Sequence, residues 1–353
     1  MTDASRSDLE FVHNTDLRPG EEYLATMPRL RVVLDHLALL KVFDRYDLIA
    51  NSKQRVFRLM GIVSLWFASI SLIGIAGELL LAALALAAPW YVTMLLELCA
   101  AISIVLALAP WLSRTRIQWL TARFMTEQIR QWHFQMLLDG SLVSKAHAGQ
   151  KDFETERDSR WAHFMARAPN AEGAMNSFVD AENLDLYHPI KPYADSLTAE
   201  ESVRAYSDLR IQKQLDYFKL KREEYAVRDE WSEAFARWTI LSALLLTGVQ
   251  LILAIVRGLT KTDKLDTASE SMFAAAIILV VLSAIVRVYR SAMALSVQRE
   301  RYETKWVRLV ALRTAWDTAS TTQRLDFMKD VELVEVEELR EFLRQMRRAS
   351  YLL

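Results

Sequence analysis

Between Arg58 and Arg114 the chain runs for 55 residues without a lysine or arginine, and its only acids there are Glu78 and Glu97. A helix crossing a bilayer needs about 20 mainly apolar residues. The stretch is therefore long enough for two crossings and a turn. Pro89-Trp90-Tyr91 supplies the bend, a helix-breaking proline beside two aromatics of the kind that settle at headgroup level. The first span is predicted at about 59–80 and the second at about 91–112, closed by Pro110-Trp111, with residues 81–88 able to extend the first helix.

The pattern recurs downstream. Trp238–Val256 and Ser271–Val286 are uncharged, joined by a short polar turn from Gly258 to Asp266, and Arg287 and Arg290 can snorkel from the end of the last span. Only nine Gly and seven Pro punctuate 353 residues, which favours helix. The fold class predicted is all-α: a polytopic membrane protein with four transmembrane helices in two hairpins, continued as long cytoplasmic helices. The first 57 residues are charged and polar, so they do not form a secretory signal.

Basic residues near the span ends set orientation. Thirteen Lys and Arg flank the outer ends of the two hairpins, from Arg45 and Lys53 before the first to Arg299 and Arg301 after the last. The first hairpin turn has none, and the second has Arg257, Lys261 and Lys264. Both termini and the middle are thus expected in the cytoplasm of a bacterial inner membrane protein. The expected division is a helical N-terminal segment (1–57), a first hairpin (58–113), a central helical region (114–236), a second hairpin (237–290) and C-terminal helices (291–353). The plan reads as two copies of charged helix, hairpin, charged helix.

Within the polar parts, residues 28–57 show apolar positions at helical spacing (Leu34, Leu37, Leu40, Phe43, Leu48), with Pro28 in the first turn. Arg114–Leu138 is predicted to continue straight from the second span, and a matching helix to run from about 287 to 320 after the fourth. His188-Pro189-Ile190-Lys191-Pro192-Tyr193 is predicted to be extended. Thr198-Ala-Glu-Glu201 resembles a capping box opening a helix that runs into the third span. Arg324–Met346 is an amphipathic helix, acidic first and basic last.

Several chemistries find no support. A net charge of −1 removes the global electrostatic reason for binding nucleic acid. The lone Cys99 rules out a disulfide framework. No phosphate-binding, HExxH or nucleophile-elbow motif occurs, and the six histidines are scattered, so no catalytic, cofactor-binding or metal residues are predicted, nor any enzyme activity or cofactor. The acidic run Asp152–Asp158 reads as a solvated helix face.

The informative polar residues are the membrane acids. Glu78 lies 11 residues before Pro89 and Glu97 lies 8 after it, at similar depth on the two helices. Acids inside a span face a bundle interior or water, and in an oligomer each could form an acidic ring that favours cations. Glu78 and Glu97 are therefore the pore-lining candidates, with Gln250 a weaker companion. The alternative is that both acids sit near the outer interface or stay protonated, and line nothing.

Three further segments look familiar: Phe43-Asp-Arg-Tyr-Asp-Leu-Ile-Ala50, Trp119-Leu-Thr-Ala-Arg-Phe-Met-Thr-Glu-Gln-Ile-Arg130 and Ile211-Gln-Lys-Gln-Leu-Asp-Tyr-Phe218. Together, over roughly residues 40–320, the chain resembles the bacterial SLATT group of two-helix membrane effectors, in its tandem-hairpin form. The resemblance implies a pore-forming effector of antiviral or other conflict systems, gated by a nucleotide-type signal. Relatives often carry or neighbour a SLOG-type sensor domain; none can be read here, so either a separate nucleotide-sensing protein is a partner or the middle segment senses the signal without a recognisable motif. Arg123, Glu127 and Arg130 are candidates for coupling that signal. Their spacing reads physically as ion-pair neighbours on a helix surface.

The sequence thus leads to an oligomeric, channel-like effector in a lipid bilayer, built from copies of one chain. The alternative is a non-conducting membrane scaffold that docks a soluble sensor or enzyme on its cytoplasmic helices.

Overall fold

The computed structural model describes residues 16–83, 86–148, 150–166, 168–181, 186–260 and 266–348. Among them the chain is almost wholly helical, and its one β-type pairing is an isolated parallel bridge between Asp139 and Lys191. Short helices α1 (Glu21–Ala25) and α2 (Arg31–Leu34) precede α3 (Leu37–Ala83) and α4 (Trp90–Leu112). Then come α5 (Thr115–Gln135), α6 (Gly140–Ala148), α7 (Gln150–Met165), α8 (Ala171–Asp180) and α9 (Ser196–Ala205). A π-helical stretch, Tyr206–Gln212, leads into α10 (Lys213–Thr260), followed by α11 (Asp266–Ala292), α12 (Leu295–Thr318) and α13 (Thr321–Arg348).

Four of these helices are long and apolar enough to cross a membrane, in the regions predicted. The chain divides into two compact units. The first comprises residues 1–53, 117–222 and 301–350; the second comprises 54–116, 223–300 and 351–353. Each passage of the described chain from one unit to the other falls inside a helix: α3, α5, α10 and α12.

The second unit contains both hairpins. In the first, Ser64 Oγ donates to the Ser103 carbonyl at 2.9 Å, Gly74 leaves room for the Leu96 side chain, and Thr93 Oγ1 donates to Glu78 Oε1 at 2.6 Å. This is the register of two antiparallel helices, with small residues at the points of closest approach. In the second hairpin Ser283 Oγ donates to the Ala236 carbonyl at 3.1 Å. Arg290 bridges Asp229 at 2.6 Å and Glu233 at 2.9 Å. The outward faces carry large exposed apolar side chains, among them Trp66, Leu95, Ile104, Trp238, Leu245 and Ile252. The bend of the first hairpin includes residues 84–85 and the turn of the second 261–265, both outside the described residues.

Two predicted continuities are corrected. The second span does not run straight into the next helix: α4 ends at Leu112, and Arg114 adopts a left-handed φ of 53° before α5 begins. The fourth span breaks in the same way at Ala294, with φ 47° before α12. Left-handed backbone costs a non-glycine residue about 1–2 kcal/mol. At both breaks bonds back to the preceding turn close the helix, from Ser113 N to the Ala109 carbonyl and from Met293 N to the Tyr289 carbonyl. The repeated architecture is thus a helix unbroken on entering each hairpin and broken on leaving it.

The N-terminal helix is also corrected. It breaks at Asp35-His36, because the His36 ring is buried beside Trp132 and Trp161 with centroids 5.8 and 5.6 Å away. The break resets the helical phase, so Leu37 and Leu48 are exposed while Leu39, Phe43, Asp47 and Ala50 face inward. At the start of α9 the cap is Asp195, whose carboxylate accepts from Thr198 N at 2.8 Å, not Thr198 itself. Glu201 is instead held from the N-terminal segment, by Arg29 N at 3.2 Å.

The core of the first unit gathers Leu30, Phe43, Trp132, Phe134, Tyr206, Trp316 and Met328. The predicted non-helical segment at 188–193 crosses the start of α6, where Gly140 N donates to the Lys191 carbonyl at 2.9 Å. A Cβ at Gly140 would lie 2.5 Å from Tyr193 N, so the crossing requires glycine there.

Candidate functional site

Two kinds of place could do chemistry: the acids of the first hairpin, and the polar interior of the first unit. Glu78 sits half-buried between α3 and α4, occupied by Thr93. Glu97 lies one turn further from the bend than Thr93, so the two acids are offset by about 6 Å of helix rise and do not face each other. Glu97 points out of its hairpin, exposed, and no hydrogen bond or ion pair holds it among the described residues. Gln250 is half-buried on the membrane part of α10, and no bond among the described residues joins it to either acid.

Arg123, Glu127 and Arg130 are brought together, as their spacing requires. Arg123 meets Glu127 at 2.5 Å, and Glu127 meets Arg130 at 2.7 Å. They are not a surface row, however. Arg130 is wholly buried, with Asp16 2.9 Å from its Nε and Phe43 beneath its guanidinium. Burial opposes the charge of Arg130, but Asp16 and Glu127 outweigh it and hold the guanidinium protonated. Burial lifts the Asp16 carboxyl above its usual range, against the pull of Arg130 and Arg210.

A second buried group was not anticipated. Arg210, on the π-helical stretch, lies 3.0 Å from Glu332 and over the Phe134 ring. Glu332 also accepts from Tyr206 Oη at 2.8 Å and from Gln135 Nε2 at 3.3 Å. One turn along α13, Glu335 receives Lys305 Nζ at 2.9 Å. Burial lowers the Lys305 ammonium to about 8, although Glu335 opposes the shift. The available sequence signal was Glu332 and Glu335 lying among Met328, Val331, Val336 and Leu339, two acids on the apolar face of an amphipathic helix. No residue pattern announces the π-turn that places Arg210 opposite them.

Near these groups lies a cavity of about 840 Å³ between α5, α7, α8, the segment at 186–188 and α13. Gln128, Gln131, Trp132 and His188 are its deeply buried walls, Phe164 and Phe178 flank them, and the exposed His163 and Ser177 lie at its rim. Arg160 is pinned there by Asp139 at 2.9 Å and by Glu156. Burial and the adjacent Arg160 lower His188 to about 4, leaving its ring neutral at physiological pH. No group of His, Cys, Asp or Glu suited to holding a metal ion occurs among the described residues.

No family profile, curated protein or solved structure matches the chain.

Proposed function

We propose that the protein is an oligomeric membrane pore, opened by a cytoplasmic signal received at its first unit. The observation that carries this reading is Glu97. A carboxylate on the outward face of an otherwise apolar spanning helix is costly in hydrocarbon, by about 3 kcal/mol for an acid at the helix centre on insertion scales. Facing a water-filled path shared with neighbouring copies removes that cost. A ring of such carboxylates selects cations. The excess of Lys and Arg at the outer ends of both hairpins supports a cytoplasmic first unit. The resemblance to SLATT effectors supports a role in bacterial conflict at the inner membrane, with a nucleotide-sensing protein as a partner. Arg123, Glu127 and Arg130, tied to the N-terminal segment through Asp16, are the group through which movement of that segment reaches α5.

The test is conductance of the purified protein in planar bilayers. Glu97→Gln is expected to reduce cation over anion preference severalfold, while Glu78→Gln, already hydrogen-bonded inside the hairpin, changes it little. Unchanged selectivity in both variants removes the assignment. The scaffold reading has its own support: Ser64 bonded to the Ser103 carbonyl and Leu96 packed against Gly74 hold the two helices of the first hairpin directly against each other. A monomeric particle in detergent that leaks no ions would favour it.

A further inference from the structure

The two hairpins differ in how their basic residues are met. At the end of the first hairpin away from its bend, Arg55, Arg58, Arg114 and Arg116 fall in stretches without acids, since no Asp or Glu occurs between Asp47 and Glu78 or between Glu97 and Glu127. At the corresponding end of the second hairpin the arginines have carboxylates of their own. Arg228 pairs with Glu224 at 2.7 Å, Arg237 with Glu233, Arg290 with Asp229 and Glu233, and Arg299 with Glu230 at 3.2 Å. Arg287 is exposed there, where water can solvate it.

Arg116 is the residue that this difference strands. It is only partly exposed, and its Nη2 is buried with no hydrogen-bond partner. No ion pair reaches it among the described residues, and the first turn of α5, to which it belongs, holds no acid. Burial lowers the Arg116 guanidinium below its usual range, whereas at Arg123, Arg130 and Arg210 carboxylates outweigh the same effect. A guanidinium does not escape such a place by losing its proton. The remaining way to compensate it is an anion from outside the hairpin.

Its position says which anion. Arg116 follows Leu112, the exposed last residue of α4, by four residues, about 6 Å at helical rise. The headgroup layer adds about 5–7 Å to each side of the hydrocarbon. An arginine at that level can grip a phosphate with its planar fork while its stem stays against apolar surface. A zwitterionic headgroup brings its own ammonium to the phosphate, so a headgroup with net negative charge compensates Arg116 better.

We infer that Arg116 holds the phosphate of an anionic phospholipid headgroup at the first hairpin, and that the ion-paired arginines of the second hairpin do not. The inference rests on the bilayer as the solvent of the second unit, not on conduction, and its test reads lipid binding alone.

Full-length protein in micelles is titrated with phosphatidylglycerol or with phosphatidylcholine of the same acyl chains, and native mass spectrometry counts the lipid-bound forms. The first phosphatidylglycerol is expected to bind at least about fivefold more tightly than phosphatidylcholine, the effect of one basic residue at an anionic lipid surface. Arg116→Gln should bring the two lipids within about twofold of each other. Arg287→Gln, which removes the same charge from the second hairpin, should leave the preference intact. Should Arg116→Gln fail to fold, Ser113→Asp carries the test: it sets a carboxylate at an exposed position three residues before Arg116 and should abolish the preference. Glycerol 3-phosphate in excess should not displace the lipid. No preference for phosphatidylglycerol, a preference unchanged in the folded variants, or an equal loss in the Arg116 and Arg287 variants would each overturn the assignment. Displacement by glycerol 3-phosphate would overturn it too, by making the ligand a water-soluble phosphate.

Discussion

The two units invert each other. In the first, charged and amide groups are inside: Arg130, Arg210, Gln135 and Glu332 have no exposed surface at all. In the second, the large apolar groups are outside, with Trp66, Trp238, Leu245 and Leu251 all more than 60% exposed. One chain cannot suit both surfaces to the same solvent. Water accepts the polar exterior of the first unit, whereas the exterior of the second is matched to lipid. The same interaction should therefore weigh differently in the two units. In the first, loss of a buried partner strands a charge or dipole that folding took out of water. In the second, a helix separated from its neighbour still lies in hydrocarbon, so polar contacts between helices contribute little.

The largest effect expected from this contrast is at Arg210. Arg210→Met leaves the buried Glu332 carboxyl with only neutral hydrogen-bonding partners, and breaking a buried ion pair on one side costs about 3–5 kcal/mol. Adding Glu332→Gln should recover most of the loss, because the amide oxygen still accepts from Tyr206 and no charge remains. Hydrogen exchange of residues 206–218 in the full chain reads both variants. A double variant as unstable as the single one would mean that the packing of the guanidinium over Phe134, not its charge, holds the site.

Next in size is an acid-dependent effect confined to the first unit. His133 is buried with neither ring nitrogen bonded, and burial, followed by the charges of His36, Arg210 and His188, lowers it to about 3. The unfolded chain takes up a proton below about 6.5 that the folded chain refuses until about 3, so stability falls as pH drops through that window. At pH 5 the penalty from this one ring is about 2 kcal/mol. His133→Phe should remove it, leaving the protein more stable than wild type at pH 5 by that amount and little changed at pH 7.5. Asp16 and Glu332, raised by burial, work in the opposite direction, so the pH dependence is best read as the difference between variant and wild type. A His133→Phe curve parallel to wild type would show that the ring is not held neutral.

This contrast also explains what could be read from residues alone. The spans were legible because charge is absent over lengths a bilayer dictates, and nothing distant has to be known to see it. The helices followed from periodicity and scarce glycine. The ion pairs of Arg123, Glu127 and Arg130 were legible as spacing, but their burial was not. The group that covers Arg130 is Asp16, 114 positions earlier, and no local pattern records so distant a contact. The breaks at Arg114 and Ala294 were hidden for another reason: both left-handed residues are of types that seldom adopt that conformation. The cavity depends on five segments meeting, so only its buried glutamines, next to Arg130 and Trp132 on α5, left a trace in the chain.

The smallest predicted effect separates the two solvents most sharply. Ser283 donates to the Ala236 carbonyl across the second hairpin, a buried bond whose geometry would be respectable in any protein. That carbonyl also accepts from Thr239 Oγ1 at 3.0 Å, so Ser283→Ala does not leave it bare. Polar side-chain contacts between membrane helices average about 0.6 kcal/mol, and Ser283→Ala is expected to cost no more than that. Ser64→Ala in the first hairpin should behave alike, since the Ser103 carbonyl lies within a helix. Hydrogen exchange of residues 229–245 and 96–108 in micelles measures both. A loss of 2 kcal/mol or more from either would mean that these helices separate into water when they open. The hairpins would then belong to a globular interior, and Glu97 would face a partner protein instead of lipid or a pore. A loss near the membrane average keeps the bilayer as the solvent of the second unit, which is the premise on which a lone outward carboxylate needs an aqueous path.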